Sequence, residues 1–184
     1  VKLAHNWSGE VKLTLTHAGK VVILKNAVLS DTTTTHYVTY DIGRKPADGF
    51  MGDAPFWGPF WGLPELSNAE REIIVDVRQA IHRILSDYGK GQGTYSMIHA
   101  DLHPHNILAN GGRLYVIDFD DAGFGWHQYE LAVALHSCQD DPHFDAVRDA
   151  LIAGYRAERP LSDAAIELLP MFLLTRSLAL LGWL

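Results

Sequence analysis

A polar loop set between short apolar segments is the feature that most constrains the fold of this chain. The loop runs from His99 to Asn106 and has the pattern H-x-D-x-x-x-x-N, with Asp101 at its acidic position. An apolar segment, an Asn-Gly-Gly turn and a β-branched segment that reaches Asp118 follow it. Because such turns join antiparallel strands, these segments predict a tight hairpin. The hairpin folds Asn106 and Asp118 back to the same end, close to the loop that carries Asp101.

These three side chains suit one kind of chemistry. Transfer of the terminal phosphoryl group of ATP needs a carboxylate that orients the acceptor hydroxyl, oxygen ligands for Mg²⁺ and a cation on the phosphates. Asp101 follows an apolar strand, so its side chain can reach into a cleft while its backbone stays fixed. Asn106 and Asp118 offer oxygens that a hard cation accepts. Their order and spacing are those by which kinases assemble a base and two magnesium ligands.

The remaining pattern divides the chain into a small β-rich part and a larger helical part. Residues 11–16 alternate in polarity and residues 21–25 are β-branched and apolar, which predicts an antiparallel hairpin. The following segment, up to residue 62, is irregular and rich in Gly and Pro, as linkers are. Its aromatic cluster, which we expect to pack against the helical part, is Phe56, Trp57, Phe60 and Trp61. We predict a small β-rich part, a linker and a helical part that carries the loop, over residues 1–45, 46–66 and 67–184.

Helices dominate the second half of the chain. Ser67 and Glu70 form a capping-box pattern before an apolar stripe that ends at Gly89. The stripe, which we expect to face the core, comprises Ile73, Ile74, Val77, Ile81, Ile84, Leu85 and Tyr88. Strands are predicted over 95–98, 107–109 and 113–119, and helices over 129–137, 144–157 and 163–181. Pro170 and Arg176 interrupt the Leu-rich last segment, which we therefore interpret as a buried helix and not as a membrane span.

Composition narrows the range of partners and compartments. A formal net charge of −7 argues against broad binding to nucleic acid or to an anionic membrane, since phosphates are held by surplus Lys and Arg. The single cysteine, Cys138, favours a reducing compartment, so we expect a cytoplasmic protein. The chain begins at Val1 without Met, and we expect a fragment or a sequence from which segments are missing. Nothing in the sequence sets the oligomeric state.

Three runs between Ile98 and Leu135 carry a family resemblance: His-Ala-Asp-Leu-His-Pro-His-Asn-Ile-Leu, Val-Ile-Asp-Phe-Asp-Asp-Ala-Gly-Phe-Gly and Tyr-Glu-Leu-Ala. Together they resemble the aminoglycoside phosphotransferase and choline-kinase-like superfamily of small-molecule kinases. The resemblance implies an α+β, protein-kinase-like, two-lobed fold. It also implies ATP and Mg²⁺ as cofactors and the hydroxyl group of a small molecule as phosphoryl acceptor. Residues 65–184 fit the larger lobe of this family well, whereas residues 1–45 fit the smaller lobe poorly.

The resemblance assigns roles to single residues. It implies Asp101 as the catalytic base and Asn106 and Asp118 as magnesium ligands, with His103 or Asp120 supporting the site. Asp120 stands where protein kinases carry Gly, which points away from protein substrates.

Three further residues are expected to support the site. Lys25, at the end of Val-Val-Ile-Leu-Lys, resembles the lysine with which the family grips the phosphates. His99 is expected to hold the loop through hydrogen bonds to its backbone. Glu130 stands where the relatives usually carry Asp, and we expect it to anchor the loop by hydrogen bonds. The rest of a complete smaller lobe does not fit between Lys25 and the linker, so residues are missing or the lobe is degenerate.

Two other functions are compatible with parts of the sequence. His99, Asp101 and His103 alternate along the chain, and on an extended segment they would share one face, as in a zinc-dependent hydrolase. Pro104 argues against this, because it disrupts a regular strand. The shortened first lobe is also compatible with a pseudokinase-like binding module that has no turnover. The sequence does not identify the acceptor.

Overall fold

The structure is a computed structural model that describes residues 52–55 and 57–183 in full. Before residue 52 it describes four strands, β1 (Lys2–Leu3), β2 (Leu13–His17), β3 (Lys20–Lys25) and β4 (Val38–Thr39). Strands β2 and β3 pair antiparallel, which confirms the predicted first hairpin, and β1 pairs antiparallel with β4. Lys25 is the last residue of β3, but its side chain lies outside the described residues, and so does Phe56.

Helix α1 (Asn68–Tyr88) begins and ends where the sequence predicts. The Ser67 hydroxyl accepts a hydrogen bond from the Glu70 amide at 3.3 Å, and the Glu70 carboxylate accepts one from the Ser67 amide at 2.8 Å. This reciprocal pair satisfies two of the amides that a helix start leaves without partners. The predicted core stripe is too wide, because Ile73 is 63% exposed and Ile84 is 39% exposed.

Two small antiparallel sheets surround the central loop. One pairs β5 (Tyr95–Ile98) with β8 (Gly123–Trp126), and the other pairs β6 (Ile107–Asn110) with β7 (Arg113–Val116). Strand β7 ends three residues before the predicted end. Asp118 explains the difference, because its φ of 62° lies in the left-handed region and cannot continue a strand. Strand β8 was not predicted, since Gly-Phe-Gly-Trp lacks the β-branched pattern of a strand.

Four helices complete the chain: α2 (His127–His136), α3 (Phe144–Glu158), α4 (Asp163–Ile166) and α5 (Leu169–Gly182). The predicted helix over 163–181 is thus two helices, and Pro170 lies in the first turn of the second, where a missing amide costs nothing. Helices α2 and α5 pack against each other. Their contact forms the centre of the core with Trp126, Tyr129, Leu135, Phe172 and Ala179, each at most 1% exposed.

The span Asp163–Gly182 is long and apolar enough to cross a membrane by length and composition alone. In the structure it turns between α4 and α5, and the α5 residues Phe172, Thr175 and Ala179 are buried in the core. This burial confirms the interpretation of the Leu-rich segment as a buried helix.

The aromatic segment before α1 packs against the helical part. Trp57 and Phe60 are each 3% exposed and belong to the core, and the Trp61 ring lies 4.0 Å from the Arg78 guanidinium. Gly58 has a φ of 90°, and a Cβ there would meet the backbone oxygen of Gly182 at 2.5 Å. The close approach therefore requires glycine at this position.

His127, at the start of α2, makes the stability of this fold depend on pH. It is 3% exposed, and its ring lies 2.8 Å from the Ser96 hydroxyl and 3.2 Å from the Gly93 carbonyl. Burial, with the nearby Arg159 guanidinium, lowers the pKa of His127 to about 4. Because the folded state disfavours the proton, this residue's contribution is present above about pH 6.5 and is lost as the pH falls towards 4.

We expect the free energy of unfolding to fall between pH 7 and pH 5 less steeply in His127→Gln than in the wild type, because glutamine does not titrate. Urea unfolding at both pH values measures the difference. Other titrating groups contribute equally to the pH dependence of both proteins. The difference between the two pH dependences therefore reports on His127 alone. Parallel pH dependences of the two proteins would contradict the assignment to His127.

Candidate active site

The loop between β5 and β6 is folded by an unusual backbone turn. Ala100 follows β5 with a φ of 66° and is only 3% exposed, so a residue with a side chain occupies the left-handed region inside the core. The chain then enters a short 3₁₀ turn over Pro104–Asn106 that leads into β6. Left-handed backbone costs about 1 kcal/mol or more for such a residue. The surrounding contacts must therefore hold the turn.

Glu130, in α2, stabilises this turn through hydrogen bonds to its backbone. Its carboxylate accepts one hydrogen bond from the His99 amide at 2.5 Å and another from the Ala100 amide at 2.8 Å. Burial raises the pKa of the Glu130 carboxyl, and the two amide hydrogen bonds oppose this rise. Glu130 therefore makes the kind of loop contact that we predicted for it, in a place where the backbone needs support.

The His99 ring fixes the loop against the hairpin. Its Nε2 lies 2.8 Å from the Ile117 carbonyl oxygen, and its Nδ1 accepts a hydrogen bond from the Asp101 amide at 3.3 Å. The ring also packs on Phe119, with 4.5 Å between the ring centroids. Both ring nitrogens are thus occupied, and the side chain is 5% exposed, so His99 lies in the loop as a structural residue.

Asp101, Asn106 and His103 meet in one cluster. The Asn106 amide nitrogen donates to the Asp101 carboxylate at 3.0 Å and to the Asp101 carbonyl oxygen at 2.9 Å. His103 Nε2 lies 3.3 Å from the same carboxylate oxygen, Oδ2. These contacts use the side-chain amide nitrogen of Asn106. The side-chain amide oxygen of Asn106 is therefore available to bind a cation.

Asp118 is connected to this cluster through the backbone. The Ile117 amide donates to the Asn106 carbonyl oxygen at 3.0 Å, so Asp118 follows the residue that closes the loop. Its side chain is exposed, and it makes no hydrogen bond or ion pair within the fully described part of the chain. Asp120 is also exposed, in a turn closed by the Ala122 amide and the Phe119 carbonyl oxygen at 3.0 Å. Neither carboxylate contacts Asp101 directly.

Arg176 is a site residue that the sequence analysis missed. It comes from α5, and its guanidinium lies 2.6 Å from the second carboxylate oxygen of Asp101, Oδ1. Its side chain is 12% exposed and also hydrogen-bonds the buried Tyr129. In the sequence, Arg176 is one of two residues that interrupt the Leu-rich last segment. The signal available was a lone charge in a buried helix, because such a charge requires an acidic partner.

Burial shifts the pKa values of Tyr129 and Arg176. It raises the pKa of Tyr129 to about 12, which the Arg176 guanidinium opposes. Burial by itself lowers the pKa of Arg176, but Tyr129 and Asp101 beside it raise the pKa above its usual range. Tyr129 therefore stays a neutral hydroxyl and Arg176 a cation at any physiological pH.

The site suits a hard cation better than zinc. The amide oxygen of Asn106 and the exposed carboxylate of Asp118 are oxygen donors of the type that Mg²⁺ prefers. Among the fully described residues no group of three or more His, Cys, Asp and Glu side chains could hold a metal. In this described loop, His99, Asp101 and His103 do not form such a group, because the φ of 66° at Ala100 interrupts the extended segment and the His99 ring contacts the Ile117 carbonyl oxygen.

A cleft in the described part of the chain lies away from this cluster. It has a volume of about 510 Å³ between α3 and the α4–α5 pair, with Ile152, Leu169 and Leu173 in its wall. None of the predicted site residues lines it.

Comparison with known proteins identifies a matching phosphotransferase family and similar small-molecule kinases. A family model for the phosphotransferase enzyme family (APH) matches residues 45–165. A homoserine kinase from Gluconacetobacter diazotrophicus is 44% identical over 91 residues, which cover 43% of this chain and 28% of that enzyme. An amicoumacin kinase from Bacillus subtilis is 29% identical over 102 residues, 50% of this chain and 30% of that enzyme. The chain thus matches less than a third of the length of these two relatives.

Solved structures extend the likeness to the fold. A microcompartment-associated aminopropanol kinase superimposes with a TM-score of 0.68 and 26% identity, covering 100% of this chain and 66% of that one. This likeness confirms the predicted α+β, protein-kinase-like fold class.

Proposed function

Because this chain belongs to the phosphotransferase enzyme family, whose matched members here are small-molecule kinases, we propose that it transfers the γ-phosphoryl group of ATP to a small-molecule hydroxyl. The observation that supports this most directly is the position of Asp101. Its carboxylate is held on both oxygens, by Asn106 on one side and Arg176 on the other. A carboxylate that is fixed in this way can orient an incoming hydroxyl group without reorganising.

Each predicted residue has a role in this proposal. Asp101 orients the acceptor hydroxyl and receives its proton as the new O–P bond forms and the bond from the γ-phosphorus to the β–γ bridging oxygen breaks, with ADP as the leaving group. Asn106 and Asp118 would hold Mg²⁺, which would neutralise negative charge on the phosphates. Lys25 binds the phosphates from the N-terminal lobe. Because the transition state of phosphoryl transfer is loose, positioning and charge neutralisation supply most of the rate, and the basicity of Asp101 supplies little.

The lobes and the compartment belong to the same proposal. We assign residues 1–45 to a nucleotide-binding lobe, 46–66 to a linker and 67–184 to the catalytic lobe, and we place the protein in the cytoplasm. The acceptor is a small hydroxyl compound and not a nucleic acid or a membrane lipid. Two of the relatives are kinases named for homoserine and aminopropanol, each of which carries an amino group and a hydroxyl group. Amino alcohols are therefore the first class of phosphoryl acceptor to test.

A coupled assay for ADP release tests the proposal. The full chain is incubated with ATP and Mg²⁺ and with a panel that includes homoserine, aminopropanol, choline and an aminoglycoside. Asp101→Asn serves as the blank. We expect acceptor-dependent ADP release by the wild type and none above background by the variant. Absence of both turnover and thermal stabilisation by Mg-ATP would instead favour the pseudokinase-like alternative.

A further inference from the structure

Arg176 has a role that goes beyond a structural ion pair. We propose that Arg176 is a positioning residue for phosphoryl transfer, which orients the Asp101 carboxylate so that its Oδ1 atom receives the acceptor hydroxyl. This inference rests on the proposed function, in which Asp101 is the group that meets the acceptor. It adds a residue from α5, 75 positions away in the sequence, and it specifies which carboxylate oxygen reacts.

The hydrogen bonds around Asp101 indicate the reactive oxygen. His103 Nδ1 accepts a hydrogen bond from the His105 amide at 3.2 Å, so a neutral His103 carries its proton on Nε2. The Asn106 amide nitrogen donates a hydrogen bond to Oδ2 at 3.0 Å, and His103 Nε2 lies 3.3 Å from the same oxygen. Oδ2 therefore has two side-chain nitrogens beside it.

Oδ1 has a different environment. Its one donor among the described residues is the Arg176 guanidinium, at 2.6 Å. One lone pair of Oδ1 therefore stays available for the hydroxyl of an acceptor, on the side of the oxygen away from the guanidinium. Arg176 fixes the carboxylate plane from the side opposite to Asn106, and a carboxylate held at both ends cannot rotate away.

The surroundings of Arg176 make it rigid enough for this task. Its side chain is 12% exposed, and it extends from a helix whose buried residues, such as Phe172 and Ala179, are apolar except for Thr175. Tyr129, which is 1% exposed, hydrogen-bonds the guanidinium from α2. The next residue, Glu130, holds the loop backbone on which Asp101 is mounted. Two neighbouring residues of α2, Tyr129 and Glu130, thus hold the arginine and the loop backbone in place.

This arrangement predicts a specific kinetic result. Arg176→Ala frees one end of the carboxylate, so we expect kcat to fall by about 10²-fold, the usual cost of misplacing a catalytic group by about 1 Å. The nucleotide Kd and the acceptor KM should stay within about twofold, because Arg176 contacts neither directly in this proposal.

The experiment compares four variants of the full chain by steady-state kinetics, with thermal denaturation to verify folding. Arg176→Lys should recover part of the lost kcat, since an ammonium can reach Oδ1 but offers no planar fork to Tyr129 as well. Tyr129→Phe keeps the charge and most of the packing, and it should lower kcat by a smaller factor than Arg176→Ala. It provides the test if Arg176→Ala does not fold. Arg148→Ala is the matched control, because the ion pairs of Arg148 within the described residues are with Asp145 and Asp149 of its own helix.

The outcomes separate this inference from the proposed function. A folded Arg176→Ala or Tyr129→Phe variant with wild-type kcat, beside an inactive Asp101→Asn, would overturn the positioning role and leave the function standing. A raised acceptor KM at constant kcat would also overturn it, because Arg176 would then bind the acceptor itself. A wild-type chain that transfers to no acceptor would refute the proposed function, and this inference with it.

Discussion

Asp101→Asn is expected to abolish phosphoryl transfer while leaving the binding of nucleotide intact. The substitution keeps the size of the side chain and one oxygen, but it removes the negative charge and the capacity to take the hydroxyl proton. Loss of the carboxylate that orients the acceptor hydroxyl, together with the smaller loss of its capacity to take the proton, costs about 10²- to 10⁴-fold in rate. The effect on nucleotide affinity is small, because Asp101 is directed to Asn106, His103 and Arg176 and is not one of the proposed metal ligands.

Steady-state kinetics with an active acceptor measures the loss, and calorimetry with a non-hydrolysable ATP analogue measures the affinity. Asp140→Asn, in the exposed turn after α2, removes the same charge outside the site and should retain wild-type kcat. If Asp101→Asn retained more than about a tenth of the activity, a loss smaller than the range for a general base, Asp101 would not be the catalytic carboxylate.

The second large effect is expected at Asp118. Asp118→Asn should remove most of the Mg²⁺ dependence of nucleotide binding and most of the activity. Asparagine is the suitable replacement, because it tolerates the left-handed backbone at a φ of 62°, which alanine does not. A charge-assisted contact is worth about 1.5–3 kcal/mol, so the gain in affinity from Mg²⁺ should shrink by about tenfold or more.

Titration of the ATP analogue with and without Mg²⁺ provides the measurement. Metal-free binding should be equal in the wild type and in Asp118→Asn, which is the internal control for folding. A variant that still binds the analogue more tightly with Mg²⁺, to the same degree as the wild type, would show that the cation is held elsewhere. Asp118 and Asn106 would then have to be replaced as the proposed ligands.

Local rules in the sequence predicted much of this fold. The capping box at Ser67, the hairpin around the Asn-Gly-Gly turn and the start of α3 at Phe144 are set within a few residues. The loop from His99 to Asn106 was also predicted, since its polar residues interrupt apolar strands. The sequence-based predictions are wrong where contacts between residues far apart in the sequence determine the structure. Strand β8 exists because β5 pairs with it, and Ile73 is exposed although it belongs to an apolar stripe.

By itself, the sequence determined the family, the order of the three strands β5, β6 and β7 and the residue types that phosphoryl transfer requires. These depend on spacing and on turn chemistry, which act over a few residues. Only the tertiary structure decided that Arg176 meets Asp101, that Glu130 supports a left-handed Ala100, and that Asp118 stays exposed while Asn106 is buried. Such contacts depend on how α5 and α2 pack, and one helix turn of difference in that packing would pair the arginine with another residue.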